Sequence, residues 1–198
     1  MAAPTYSAGS LGNVINAITV AKGANSAALV DLSTVLGGAL LCKILTGSAV
    51  ITAAVTFGCY RVTGATATGK TTLSAGAAAT ATSLTVGSAS GIGKNAVIGV
   101  VKAVGLVGEL VTVSNVSGTT LTVSPIINAY SANDLVFLIE QTPSGGLVAP
   151  GASWVANTEY STTIYPPAAW LWIIAAKNTD ATNSAIVTVT LDKNPTFS

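Results

Sequence analysis

Short apolar–polar alternation of the kind that builds β-strands runs along the whole chain. Residues 54–64 (AVTFGCYRVTG), 83–88 (SLTVGS), 109–124 (ELVTVSNVSGTTLTVS), 135–141 (LVFLIEQ) and 185–193 (AIVTVTLDK) are rich in β-branched residues and bounded by turn formers. In 185–193 the alternation puts Val187, Val189 and Leu191 on one face, expected to be the core face. Ile186, Thr188, Thr190 and Asp192 fall on the other. Residues 109–124 predict a hairpin of two Val/Thr/Leu runs joined through Asn115-Val116-Ser117-Gly118. The uninterrupted run 170–176 (WLWIIAA) suits a strand buried on both faces. No stretch holds a 3.6-residue period over ten or more positions. The best helical candidate, VINAITVAKGANSAALVDL, is cut by Gly23 and overloaded with β-branched residues. The expectation is an all-β protein.

Composition shifts divide the pattern. A small-residue stretch at 63–82 and a Pro/Gly-rich one at 141–151 flank a central unit with its own hairpin. The segments before and after it are each too short to close a sandwich alone. The sequence therefore predicts a discontinuous, jelly-roll-like β-sandwich from residues 1–66 and 145–198. Residues 70–141 are expected to form a smaller, inserted β-barrel-like domain.

Charge changes the picture most. Half of the chain is hydrophobic but only 8% is charged, against about 25% in ordinary soluble domains. A folded chain of this mass exposes roughly 8,500 Å², far more than eight Lys+Arg and seven Asp+Glu can cover. Surfaces so poor in charge tend to associate, which points to an assembly. A net charge of +1 with Arg61 as the single arginine argues against nucleic-acid binding. The chain has no histidine, and so lacks the commonest general base and zinc ligand. Its start lacks the basic and apolar regions of a secretory signal. Residues 36–60 are apolar, but Lys43, the glycines and the threonines break them into two buried strands and a turn rather than a membrane span. Cys42 and Cys59 would face one another only if those strands form a hairpin; otherwise they are small buried apolar residues.

The candidate chemistry is thin. Gly64 to Thr71 (GATATGKT) satisfies the phosphate-loop pattern through Gly64, Gly69, Lys70 and Thr71. No amphipathic helix follows, however, and no α/β alternation surrounds it, so the match reads as a decoy in a linker. The carboxylates Asp31, Glu109, Asp134, Glu140, Glu159, Asp180 and Asp192 are scattered, without a glycosidase-like pairing visible in the pattern. NTDATN (178–183) reads as a turn held by side-chain to backbone hydrogen bonds, not as a calcium loop. Serine and cysteine catalysis both lack a base. No catalytic residue, cofactor or metal is expected. Trp154, Tyr160, Tyr165, Trp170 and Trp172 gather in the last quarter. They read as core and subunit contact, or alternatively as a glycan-binding platform.

Residues 72–136 also carry a resemblance. The order is a small-residue run, then SLTVGSASGI, an apolar strand, ELVTVSNVSGTTLTV and AYSANDLV. This resembles a module recurrent in tailed-bacteriophage virion proteins. The flanks, with DLS at 31–33, YRV at 60–62 and NTDATNSAIVTV at 178–189, look like phage head-associated β-sandwich proteins. Gly93-Lys94-Asn95 departs from the Gly-Asp turn usual in that module. The resemblance implies a non-enzymatic virion protein on the capsid surface. It would be a decoration or cement subunit bound to the major capsid protein and to copies of itself. Open sandwich edges need covering, so an oligomer is expected, with a trimer as the assumed state, and neither nucleic acid nor membrane is an expected partner. The alternatives are a tail or fibre component that binds a receptor or glycan, and a secreted carbohydrate-active β protein.

Overall fold

The computed structural model describes residues 6–7, 10–31, 38–46, 55–63, 71–140, 155, 157–164, 171–193 and 196–197. All regular structure among them is β. The strands are β1 (Tyr6–Ser7), β2 (Ser10–Val20), β3 (Asn25–Asp31), β4 (Gly38–Thr46), β5 (Val55–Arg61), β6 (Thr71–Thr72), β7 (Ser83–Thr85) and β8 (Val97–Val101). They continue with β9 (Val107–Ser117), β10 (Thr120–Val123), β11 (Leu135–Leu138), β12 (Glu159–Ile164), β13 (Leu171–Asn178), β14 (Ala185–Lys193) and β15 (Thr196–Phe197).

Two sheets face each other as a β-sandwich. One has the order β12-β4-β14-β2; the other begins β5-β13-β3. The core between them draws Ile15 and Val20 from β2, Phe57 and Cys59 from β5, Trp172 and Ile174 from β13, and Val187 and Val189 from β14. The alternation expected for 185–193 holds on the core side, with Val187 and Val189 fully buried. The run expected to be buried on both faces is central β13. Trp172, Ile174 and Ala176 enter the sandwich core, while Ile173 and Ala175 enter a second core on the opposite face. The segment that best resembled a helix is instead two strands in different sheets. Gly23, at a φ of 67°, turns the chain from β2 to β3, and its N–H donates to Asp180 O at 3.0 Å.

Of the two readings of Cys42 and Cys59, the one that depended on a hairpin fails. The strands carrying Cys42 and Cys59 do not form a hairpin: β4 pairs with β12 and β14, whereas β5 pairs with β13 in the opposite sheet. Pairing follows the two-sheet topology rather than chain proximity. Cys59 is a buried thiol of the core.

The sheet that begins β5-β13-β3 continues through β9, β8, β11 and β6, with β10 and β7 attached to β9. Strands β6 to β11 wrap a core of their own, including Leu73, Leu84, Ile98, Val111, Val113, Leu121 and Val136. This module curls without closing into a barrel. The Leu73–Val86 bridge, with Ser74 N–H on Thr85 O and Gly87 N–H on Thr72 O (both 2.9 Å), and Ser88 N–H on Thr71 Oγ1 span its gap. The expected hairpin is β9–β10, but its turn is Gly118-Thr119, because Ser117 pairs directly with Thr120. Gly118, at a φ of 60°, supplies the left-handed position that a two-residue hairpin turn needs.

Candidate functional site

Gly64, Gly69 and Lys70 of the phosphate-loop-like match lie outside the described residues, as do Trp154, Tyr165 and Trp170. Thr71 opens β6 rather than a helix, and its buried Oγ1 accepts a hydrogen bond from Ser88 N–H at 2.9 Å. A phosphate cradle needs a helix N-terminus at this point; a strand edge stands there instead. Trp172 is 1% exposed within the sandwich core and is part of no exposed platform. Tyr160 is half-buried against the same core, and its hydroxyl accepts from Val155 N–H at 2.8 Å.

Among the described residues three carboxylates are buried, and all three serve the backbone. Glu109 is 1% exposed. It accepts Ile127 N–H and Asn128 N–H, both at 2.8 Å, and Asn128 Nδ2 and the Tyr130 hydroxyl at 3.1 Å. The Tyr130 phenol is also 3.1 Å from Val100 O. Burial raises its pKa far above the ordinary value near 10, and the charge of Glu109 adds to the shift. Asp134 accepts Ala103 N–H at 2.9 Å and Ser131 N–H at 2.8 Å, fastening the β8–β9 turn to the turn before β11. Asp180 Oδ1 accepts Thr182 N–H, the Thr182 hydroxyl and Asn183 N–H at 2.7–2.9 Å, and Asn178 Oδ1 accepts Asp180 N–H. The 178–183 turn is therefore built by side-chain to backbone bonds, as its composition predicted. Among the described residues no group of three or more His, Cys, Asp or Glu converges as metal ligands do. No helix among them is long and apolar enough to cross a membrane.

The most elaborate arrangement is the junction between sandwich and module. The outgoing and returning chains are bonded to each other. Val62 bridges Ile139, Thr63 N–H and Oγ1 both donate to Leu138 O at 2.9 Å, and Glu140 N–H donates to Arg61 O at 3.0 Å. Outside this pair, Arg61 forms an ion pair with Glu140, its Nε 2.9 Å from Oε1. A second attachment lies at β3. Ala27 and Ala28 pair with Gly108 and Val107, and Leu29 N–H donates to Leu106 O at 2.9 Å. Asn25 extends this ladder with its side chain, its Oδ1 taking Leu110 N–H at 2.7 Å and its Nδ2 donating to Leu110 O at 3.1 Å. Between the two attachments lies the second core, with Leu29, Val62, Val101, Phe137, Ile139 and Ile173. Gly99 allows the close approach there, since a Cβ at that position would sit 2.1 Å from Ile173 Cδ1.

A cleft of about 220 Å³ opens beside this core. Its floor follows from strand register. Gly58 and Ala175 pair across β5 and β13, and these small residues leave a trough between the Tyr60–Ile173 pair and the Thr56–Lys177 pair. Val97, Leu110 and Thr112 of the module line its other side. The Tyr60 ring lies over Gly58, where a Cβ would be 2.8 Å from Cε2. Desolvation raises the Tyr60 phenol pKa, and Cys59 adds a smaller push in the same direction.

Comparison with known protein families, curated proteins and solved structures gives no significant match. Sequence reasoning did not single out the buried role of Glu109, although a signal existed. Glu109 is in phase with Val111 and Val113, so the alternation itself turns it to the core face. The Asn25 clamp and the cleft had no such signal, because both depend on which strands meet.

Proposed function

We propose that this chain is a non-enzymatic structural protein: a decoration or cement subunit on the exterior of a tailed-phage capsid. Its sandwich anchors to the major capsid protein, and its module projects or bridges to neighbours, including copies of itself. The observation that carries this reading is the double attachment at the junction. The paired chains at 61–63 and 138–140 and the β3–β9 ladder make one sheet run through both units, an arrangement suited to passing force between an anchor and an outer contact. Two further features support it. The charge-poor surface favours association, and a standard interface needs only about 1,600 Å². The sheet edges of the sandwich also differ. Edge strand β2 carries three register breaks against β14, whereas edge strands β12 and β5 pair with β4 and β13 in unbroken register. Bulges blunt an edge, so β12 and β5 are the edges suited to self-association, with a trimer as the expected state.

The test is thermal release of DNA from purified heads with and without the protein. Heads lacking it should open at a lower temperature and recover when it is added back. Unchanged stability sinks the cement reading, and co-purification with tails instead of heads moves the protein to a tail or fibre.

A further inference from the structure

We propose that the cleft between β5, β13 and the module binds a single acidic sugar ring, a uronic-acid-type pyranose. Junctions between folded units are common sites for small ligands, and the usual lining is apolar with a few converging polar groups. This cleft has that make-up. Gly58 and Ala175 form a flat floor, and the Tyr60 ring lies along it. Around them stand the hydroxyls of Tyr60, Thr56 and Thr112 and the ammonium of Lys177. None of these four groups has a hydrogen-bond or ion-pair partner among the described residues. Asn25, by contrast, spends its amide on Leu110 and is not available to a ligand.

The ligand class follows from that inventory. An aromatic surface beside small residues accepts the C–H face of a pyranose, while scattered hydroxyls match its ring substituents. The cleft contains a cation and no carboxylate, so charge selects an anionic sugar over a neutral one. At about 220 Å³ it is smaller than the roughly 300–1,000 Å³ of sites for drug-sized ligands, which limits it to one ring. The Tyr60 hydroxyl remains protonated and able to donate at neutral pH.

This inference does not depend on the capsid reading, because heads can be stabilised whether or not the cleft is filled. The test is a titration of the full chain with methyl glucuronide and, separately, methyl glucoside and acetate, followed residue by residue by NMR. The expected result is saturable shifts on β5 and β13 with the glucuronide, with a Kd of about 1 mM, near −4 kcal/mol. The glucoside should bind about tenfold more weakly. Lys177→Gln should cost about tenfold for the glucuronide, the worth of a charged hydrogen bond, and leave the glucoside unchanged. Tyr60→Leu should weaken both sugars. Lys177 is exposed, so its variant folds and the comparison remains valid. No saturable shift with the glucuronide, equal affinity for the two sugars, acetate binding as tight as the glucuronide, or indifference to Lys177→Gln would each overturn the proposal.

Discussion

The sandwich and the module are held together in different ways. The sandwich fills the space between two sheets with large apolar side chains, Trp172 and Phe57 foremost, and draws them from strands far apart in sequence. The module has mostly smaller aliphatic side chains and holds two of the three buried carboxylates found among the described residues, Glu109 and Asp134, which bond the backbone of its own turns; the sandwich has one, Asp180. A unit of roughly 70 residues has little core to spare and commonly needs extra fastening. Here that fastening is polar, and it works only while every donor keeps its acceptor. The sandwich should therefore be sensitive to lost volume, and the module to lost hydrogen bonds and to pH.

Truncating the sandwich core should have the largest effect. Trp172→Ala is expected to cost about 4 kcal/mol, read as a lower urea midpoint for sandwich signals. Glu109→Ala should cost about 3 kcal/mol, because it strands Ile127 N–H, Asn128 N–H and the Tyr130 hydroxyl. Hydrogen exchange should show that loss in the module first. If both variants lower every region equally, the two units unfold as one and the contrast fails. Asn25→Ala removes both bonds to Leu110 and should cost about 2 kcal/mol. More tellingly, it should widen the separation between the melting of the two units, which calorimetry would detect.

Alkaline pH separates the units without mutation. The Tyr130 pKa is raised in the folded state from a value near 10. The stability tied to its protonated form is therefore complete below pH 10 and falls as pH rises beyond it, because the unfolded chain gives up the proton first. The slope should approach 1.4 kcal/mol per pH unit, localised to the module and reduced in Tyr130→Phe. Arg61→Ala should matter least, about 0.5 kcal/mol, since the Arg61–Glu140 pair is largely exposed. A larger loss would mean that the ion pair, rather than the backbone bonds beside it, holds the outgoing and returning chains together.

Much of the fold was legible because strand periodicity is local. Val187 and Val189 announced the inner face of β14, and the unbroken run at 170–176 announced a strand covered on both sides. Composition alone identified the turn at Asp180. What stayed hidden depends on long-range partnership. Nothing in the spacing of Asn25 and Leu110 brings them together; that contact exists only once β3 meets β9. For the same reason β4 and β5, neighbours in sequence, proved to belong to opposite sheets. The cleft is a product of register too, since Gly58 and Ala175 make a floor only because they face each other across β5 and β13.

The contact between Thr63 and Leu138 carries a consequence for the lineage of such chains. Two points separated by a whole module in sequence touch in space, so the module is spliced in at a seam that a tight turn could close. A shortened descendant would keep its anchor intact, yet it would uncover the flank of β3 that β9 now occupies. Naked strand flanks recruit one another into fibres. The module thus covers the flank of β3, and its removal is expected to expose that flank to strand-by-strand association.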